Sequence, residues 1–228
     1  MARSKTKTDR SGSPETGDRT TREAILRAAC DVFAEHGYDR ATGKEICRRA
    51  GANTAAVNYY FGGVDGLYAA VVEDAHNHLV TFGQMSAAVA DEADARAKLR
   101  VILGLFVHGL TGPASASWVL RVLGREAVAP TAVFDKLREK ELLPKSRILR
   151  STVAELTGLP EDHPAISRGC ISVIAPCLIL LLLNRDTLGR VFPDVQLTDA
   201  EADTLVDHMV EFSLAGLTKT AAEAKRQP

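Results

Sequence analysis

The sequence predicts an all-α protein, and three observations carry that reading. Aromatic residues make up only 5% of the 228 residues, whereas Ala and Leu, both strong helix formers, recur throughout. No stretch alternates β-branched with polar residues in the period of two that a half-buried strand needs. Apolar residues recur instead at i, i+3, i+4 and i+7, punctuated by Thr-x-x-Glu starts and by Gly and Pro stops. About nine helices are expected: a three-helix N-terminal head containing a helix-turn-helix, then a larger C-terminal helical bundle.

Residues 1–18, MARSKTKTDRSGSPETGD, hold Ser, Thr, Gly and charges but no aliphatic run. They bury too little apolar surface to offset ordering, so a flexible tail is expected. Thr20 and Glu23 form a T-x-x-E box that opens the first helix. Ile25, Leu26, Ala29, Val32 and Phe33 give it an apolar face, and Gly37 ends it. Thr42 and Glu45 make a second box. The following stretch, TGKEICRRAGANTAAVNYY, reads as two short helices joined at Gly51. Ile46 and Ala50 form an apolar stripe on the first of these, and Cys47 is small where the helices would cross. Gly51 suits a left-handed backbone turn. Ala52 and Val57 continue the buried side, which leaves Thr54, Ala55, Asn58 and Tyr59 facing outward. A helix-turn-helix offers this outer face of its second helix to the DNA major groove.

Gly62-Gly63 punctuate the chain, and a long fourth helix is predicted over residues 64–82 on the stripe Leu67, Val71, Ala75 and Leu79. The next helix carries Leu99, Ile102, Leu103, Phe106, Val107 and Leu110, and stops at Gly112-Pro113. Further helices are expected over 115–128, over 131–142, and from a restart at Pro144 to about residue 156. The most apolar helix covers 165–183. Thr198 and Glu201 make a third box opening a final helix through Leu205, Met209, Phe212 and Leu217. This gives a domain reading of 1–18 as tail, 19–63 as DNA-binding head and 64–228 as body.

Composition narrows the function. A 46% hydrophobic content builds a core, and 25% charged residues are ordinary for a soluble chain. Residues 1–62 hold 11 Lys/Arg against 8 Asp/Glu, and the remainder holds 17 against 21, within a net charge of -1. A basic end on an acidic body fits phosphate binding by one end only. The four cysteines form no CxxC pair and read as small buried thiols in a reducing cytosol. Cys170 and Cys177 share a helix face about 10 Å apart, too far for a direct disulfide. The N-terminus lacks the apolar core of a secretory signal. The apolar run 170–183 is shorter than the roughly 20 residues of a membrane span and contains Pro176, so a cytoplasmic protein without a membrane partner is expected. G-x-S-x-G, P-loop, G-x-G-x-x-G and H-E-x-x-H motifs are absent, which argues against those enzyme classes. Asp74, His76 and His78 do not make a metal site: His76 and His78 point to different helix faces, and two ligands are too few. No cofactor is expected.

TREAILRAACDVFAEHGYDRAT followed by KEICRRAGANTAAVNYYFGGVDGLYAAV resembles the DNA-binding domain of TetR-type transcriptional regulators. The F-A-E-H-G-Y turn, the Ala50-Gly51 turn and the Tyr60-Phe61-Gly62 block carry the resemblance. REAVAPTAVFDKL, LTGLPEDHP and TDAEADTLVDHMVEFSLAGL are similar to a branch of that family associated with drug export and stress. The resemblance implies a homodimeric repressor reading a palindromic double-stranded DNA operator, with an internal pocket for a small-molecule effector that releases it. Two positions depart from the family pattern. Val64 stands where a phosphate-touching Lys is common, a loss that lowers the salt slope of binding by about 1. Gly43 stands where a small apolar residue is usual.

Candidate DNA contacts follow. Thr42 caps its helix and sets a hydroxyl near phosphate. Lys44 lies in a first helical turn, where a cation opposes the helix dipole and a phosphate would offset it. Asn58 is the candidate base reader, able to pair with adenine N6 and N7. Thr54, Ala55 and Ala56 are small enough for close approach, Tyr59 reaches phosphate, and Arg48 and Arg49 read as surface. In the body, Phe106, Trp118, Arg121 and Phe134 are candidate pocket residues, combining aromatics with one cation, against ordinary core packing. Residues 165–183 with the final helix are the candidate dimer surface. The competing reading is a ligand-binding or interaction module with a degenerate head.

Overall fold

The computed structural model describes residues 14–111, 118–183 and 185–226. Their regular structure is helical: α1 (Pro14–His36), α2 (Gly43–Ala50), α3 (Thr54–Phe61), α4 (Val64–Asn77), α5 (Phe82–Ala90), α6 (Ala95–Thr111), α7 (Val119–Val128), α8 (Ala132–Leu137), a π-helical turn (Arg138–Leu142), α9 (Leu143–Thr157), α10 (Pro164–Leu182), α11 (Arg185–Val191) and α12 (Asp199–Ala224). No strand occurs among the described residues. The chain divides into two compact units, Met1–Ala70 and Val71–Pro228.

In the first unit, Ile25, Ala29, Val32 and Phe33 of α1 are buried, as are Ile46, Cys47, Val57 and Leu67. The Tyr68 ring packs edge-on against Phe33, with centroids 4.7 Å apart. α1 begins at Pro14, six residues before the expected start. Thr20 therefore lies inside the helix, and Glu23 pairs one turn back with Arg19 at 3.2 Å. Residues 1–13 of the expected tail, with Lys5, Lys7 and Arg10, fall outside the described residues.

Helix starts elsewhere follow the sequence in part. Thr42 caps α2 by accepting the Glu45 N–H. Glu45 leaves its half of the box to bond Arg48 and Arg49, because two guanidinium groups outcompete one backbone N–H. Thr198 stands at the start of α12 without a side-chain cap bond.

The second unit is a bundle whose core joins Leu99, Ile102, Leu103 and Val107 of α6 to Val153 of α9, Val173 and Cys177 of α10, and Val206, Met209 and Val210 of α12. Gly169 lets α10 cross closely: a Cβ there would lie 2.8 Å from Leu217 and 3.3 Å from Val153. By length and composition α10 could cross a membrane, but Ile166, Val173, Cys177 and Leu180 are built into the bundle core. Pro176 sits inside α10 without ending it.

Two predicted boundaries move. The helix expected over 64–82 ends at Asn77, and α5 restarts from Thr81 in a reciprocal capping box with Gln84. The break expected at Pro144 does not occur. Pro144 has no N–H to give. The turn before it widens so that Leu143 donates to the Arg138 carbonyl five residues back, and the helix continues into α9.

Candidate functional site

Two regions collect the predicted residues. The first is the helix-turn-helix of the N-terminal unit. Gly51 adopts φ 64 and closes α2, donating its N–H to the Cys47 carbonyl. Asn53 then caps α3, its side-chain oxygen accepting the Ala55 N–H at 2.9 Å. Val57 is buried on one side of α3, while Thr54, Ala55, Asn58 and Tyr59 are exposed on the other and Ala56 is half-buried. Tyr59 is 77% exposed. The Gly62 N–H closes α3 on the Asn58 carbonyl at 3.0 Å, so the Asn58 backbone is fixed while its amide faces solvent. Thr42 and Lys44 are both exposed at the start of α2.

Charges on α2 are arranged unevenly. Arg49 makes a two-bond pair with Glu35 of α1, at 2.9 and 2.7 Å, and also bonds Glu45 at 2.8 Å. Arg48 grips the same Glu45 through two bonds of 2.8 Å. Hydrogen bonds from Arg48 and Arg49 hold the Glu45 carboxyl down at about 2. These two arginines therefore bind α2 to itself and to α1. Tyr60 donates to Asp18, and the Arg22 guanidinium lies over the Phe61 ring at 5.0 Å, so both aromatics pack within the head. The two unusual positions, Gly43 and Val64, meet: a Cβ on Gly43 would lie 3.3 Å from Val64 Cγ2.

The second region is a cavity of about 520 Å³ in the C-terminal unit. Phe106 and Phe134 line it, with Ile102, Leu149, Ile174 and Leu181 among its apolar walls. Trp118 and Arg121 do not line it. α7 turns Leu123 and Ala127 to the cavity, and Arg121, two residues from Leu123, points to the opposite side and is exposed. Trp118 instead packs edge-on against His78, with centroids 5.5 Å apart.

A polar cluster at the cavity wall had no counterpart in the sequence reading. His76 Nε2 lies 3.0 Å from Glu141 Oε2 and 2.9 Å from Lys145 Nζ. Lys145 donates to the Val80 carbonyl and stands 3.3 Å from Glu141. The Phe82 N–H donates to Glu141 at 2.6 Å. His76 and Lys145 are buried and line the cavity, with Glu141 behind them on the π-helical turn. Burial, then the charge of Lys145, pushes the His76 pKa below its ordinary 6.5. Burial alone would raise the Glu141 carboxyl; the Phe82 N–H, His76 and Lys145 outweigh it and hold it below the usual range. Burial pushes the Lys145 ammonium down against the pull of Glu141. The T-x-x-Q pattern at Thr81, which opens α5 five residues after His76, is the local sequence signal for this corner.

Comparison with known proteins agrees with this architecture. The family described as bacterial regulatory proteins, tetR family, matches residues 25–71. The family described as the C-terminal domain of the HTH-type transcriptional dual regulator CecR matches residues 95–217, more than half of the chain. The Shigella flexneri dual regulator CecR is 28% identical over 214 residues, covering 87% of this chain and 93% of its own. Among solved structures, the putative transcriptional regulator from Pseudomonas aeruginosa PAO1 is similar with a TM-score of 0.61 at 18% identity, covering 92% of this chain and 95% of that one. FadR from Bacillus halodurans gives 0.60 at 17% identity, covering 85% and 98%. FadR from Bacillus subtilis, solved in complex with stearoyl-CoA, gives 0.59 at 17%, also covering 85% and 98%. The chain belongs to the TetR-type transcriptional regulators, with a C-terminal domain of the CecR kind.

Proposed function

We propose that the protein is a ligand-responsive repressor acting in the cytoplasm. Two copies associate through α10 and α12, and each sets one α3 into a major groove of a palindromic operator. A small molecule in the cavity releases the DNA. In this reading residues 19–63 are the DNA-binding domain, and 64–228 bind ligand and form the dimer. The observation that carries the proposal is the outer face of α3. Thr54, Ala55, Asn58 and Tyr59 are exposed there while Val57, Ile46 and Cys47 anchor the opposite side in the head's core. Asn58 reads a base, Thr54, Ala55 and Ala56 allow close approach, and Thr42, Lys44 and Tyr59 hold phosphates. The stearoyl-CoA complex of the Bacillus subtilis regulator supports reading the cavity here as an effector site.

The test is a titration against operator selected from random DNA and against unselected DNA, over a salt series. Asn58→Ala should weaken operator binding by about 10- to 100-fold, the range of one bidentate base contact, and leave unselected DNA unchanged. An equal loss on both would remove Asn58 from base reading. A degenerate head is the second reading. Val64 and the pairing of Arg48 and Arg49 with Glu45 and Glu35 favour it, and failure to enrich any sequence would select it.

A further inference from the structure

The cavity's described lining contains two cations, Lys145 and Arg150, and no Asp or Glu. The two are not equivalent. Lys145 is satisfied by Glu141, the Val80 carbonyl and His76. Arg150 gives its bonds to neutral acceptors, Ser167 Oγ at 2.8 Å and the Glu161 carbonyl. No carboxylate lies within ion-pair distance of it among the described residues. A guanidinium carries five N–H groups in a planar fork, so Arg150 keeps donors for a further acceptor. It stands half-buried in the cavity lining, where an unpaired charge is costly and a carboxylate in two-bond geometry is the complementary partner. The Ser167 hydroxyl accepts from Arg150, which leaves its own proton to donate to the same group.

From Ser167 the wall continues along α10 through Cys170, Ile171, Ile174, Leu178 and Leu181. These positions make one helix face about 20 Å long, faced by Phe106 and Leu149 from other helices. An apolar helix face of that length with a cation at one end offers an extended chain contact along its whole length, which a compact ring system would leave unused.

We propose that the cavity takes a single-chain amphiphile with an anionic carboxylate head, the carboxylate on Arg150 and Ser167 and the chain along α10. This names the ligand class of the effector site proposed above and rests on that reading only for the effect on DNA.

The experiment uses the full chain and three probes that share a twelve-carbon chain: dodecanoate and dodecyltrimethylammonium, each below its micelle concentration, and dodecanol below its solubility limit. Calorimetric titration should rank dodecanoate at least about tenfold tighter than dodecanol, with the cation weakest. Arg150→Met should bring dodecanoate down to the alcohol's affinity and leave dodecanol unchanged. Equal affinities, a preference for the cation, or no binding by any probe would overturn the proposal. Arg150 also ties α9 to α10, so if Arg150→Met does not fold, the wild-type ranking and Ser167→Ala decide. Adding operator DNA separates the two readings. Dodecanoate bound without release of DNA retains the carboxylate site and removes ligand-responsive repression. Release by dodecanol or the cation as effectively as by dodecanoate does the reverse.

Discussion

Glu141 Oε2 meets a backbone N–H, an imidazole and an ammonium at one point. His76 Nε2 is the hinge of that arrangement, because one nitrogen faces both a carboxylate and an ammonium. With the N–H on Nε2 it donates to Glu141; in the Nδ1–H tautomer it accepts from Lys145. Burial and Lys145 favour the neutral ring. The folded protein therefore binds the second ring proton less readily than the unfolded chain does. The stability it contributes is complete above pH 6.5 and is lost as the pH falls below that value. Urea midpoints should decline between pH 7 and pH 5.5, and His76→Gln should flatten that decline; an unchanged slope would place the titration elsewhere. In the sequence His76 stands beside Asp74 and His78, a trio that reads as surface or core groups rather than a metal site, and its neighbours there name no partner for it. Its true partners lie 65 and 69 residues away, a distance over which no spacing rule operates.

At the level of helices, glycines separate what was legible from what was not. Gly51 was readable because its φ of 64 ends a helix at a position with a strong sequence signature. A Cβ there meets nothing within 4 Å, so Gly51→Ala should cost only the left-handed penalty of about 1–2 kcal/mol. Gly66 has no such signature, yet a Cβ on it would fall 1.8 Å from the Phe61 carbonyl oxygen. The start of α4 lies directly against the end of α3, and backbone cannot step aside as a side chain can. Gly66→Ala should cost about 3 kcal/mol, the upper end of overpacking penalties, and thermal melts of the two variants should rank accordingly. A smaller loss for Gly66→Ala than for Gly51→Ala would contradict this contact. The π-helical turn escaped prediction for a related reason. Pro144 announced a disturbance, but whether the backbone breaks or widens depends on what the next turn packs against. The apolar stripe of α6 needed no such help: Leu99, Ile102, Leu103, Val107 and Leu110 are buried as its period required, while Phe106 is half-buried and lines the cavity.

For the molecule as a whole, the all-α class and the head-and-bundle order were legible from periodicity and punctuation. The cavity was legible only in Phe106 and Phe134, because which face of α7 turns inward is settled by tertiary packing. Ile171, Ile179 and Leu182 on α10 and Phe212 on α12 are exposed, Phe212 at 75%. Placing charge there, as Ile179→Asp with Phe212→Asp, should leave a folded monomer in sedimentation whose operator affinity falls by at least about 100-fold, since each half-site is then held alone. A dimer that persists would move the interface elsewhere. Ile171 and Leu178 are at once exposed and part of the cavity wall. A subunit laid over α10 would finish that wall, so filling the cavity and pairing the subunits would draw on one coupling free energy. Thermodynamic reciprocity then requires that any effector tightening the dimer bind the dimer more tightly by the same factor. Effector potency measured on this protein would therefore depend on how much of it is in the tube.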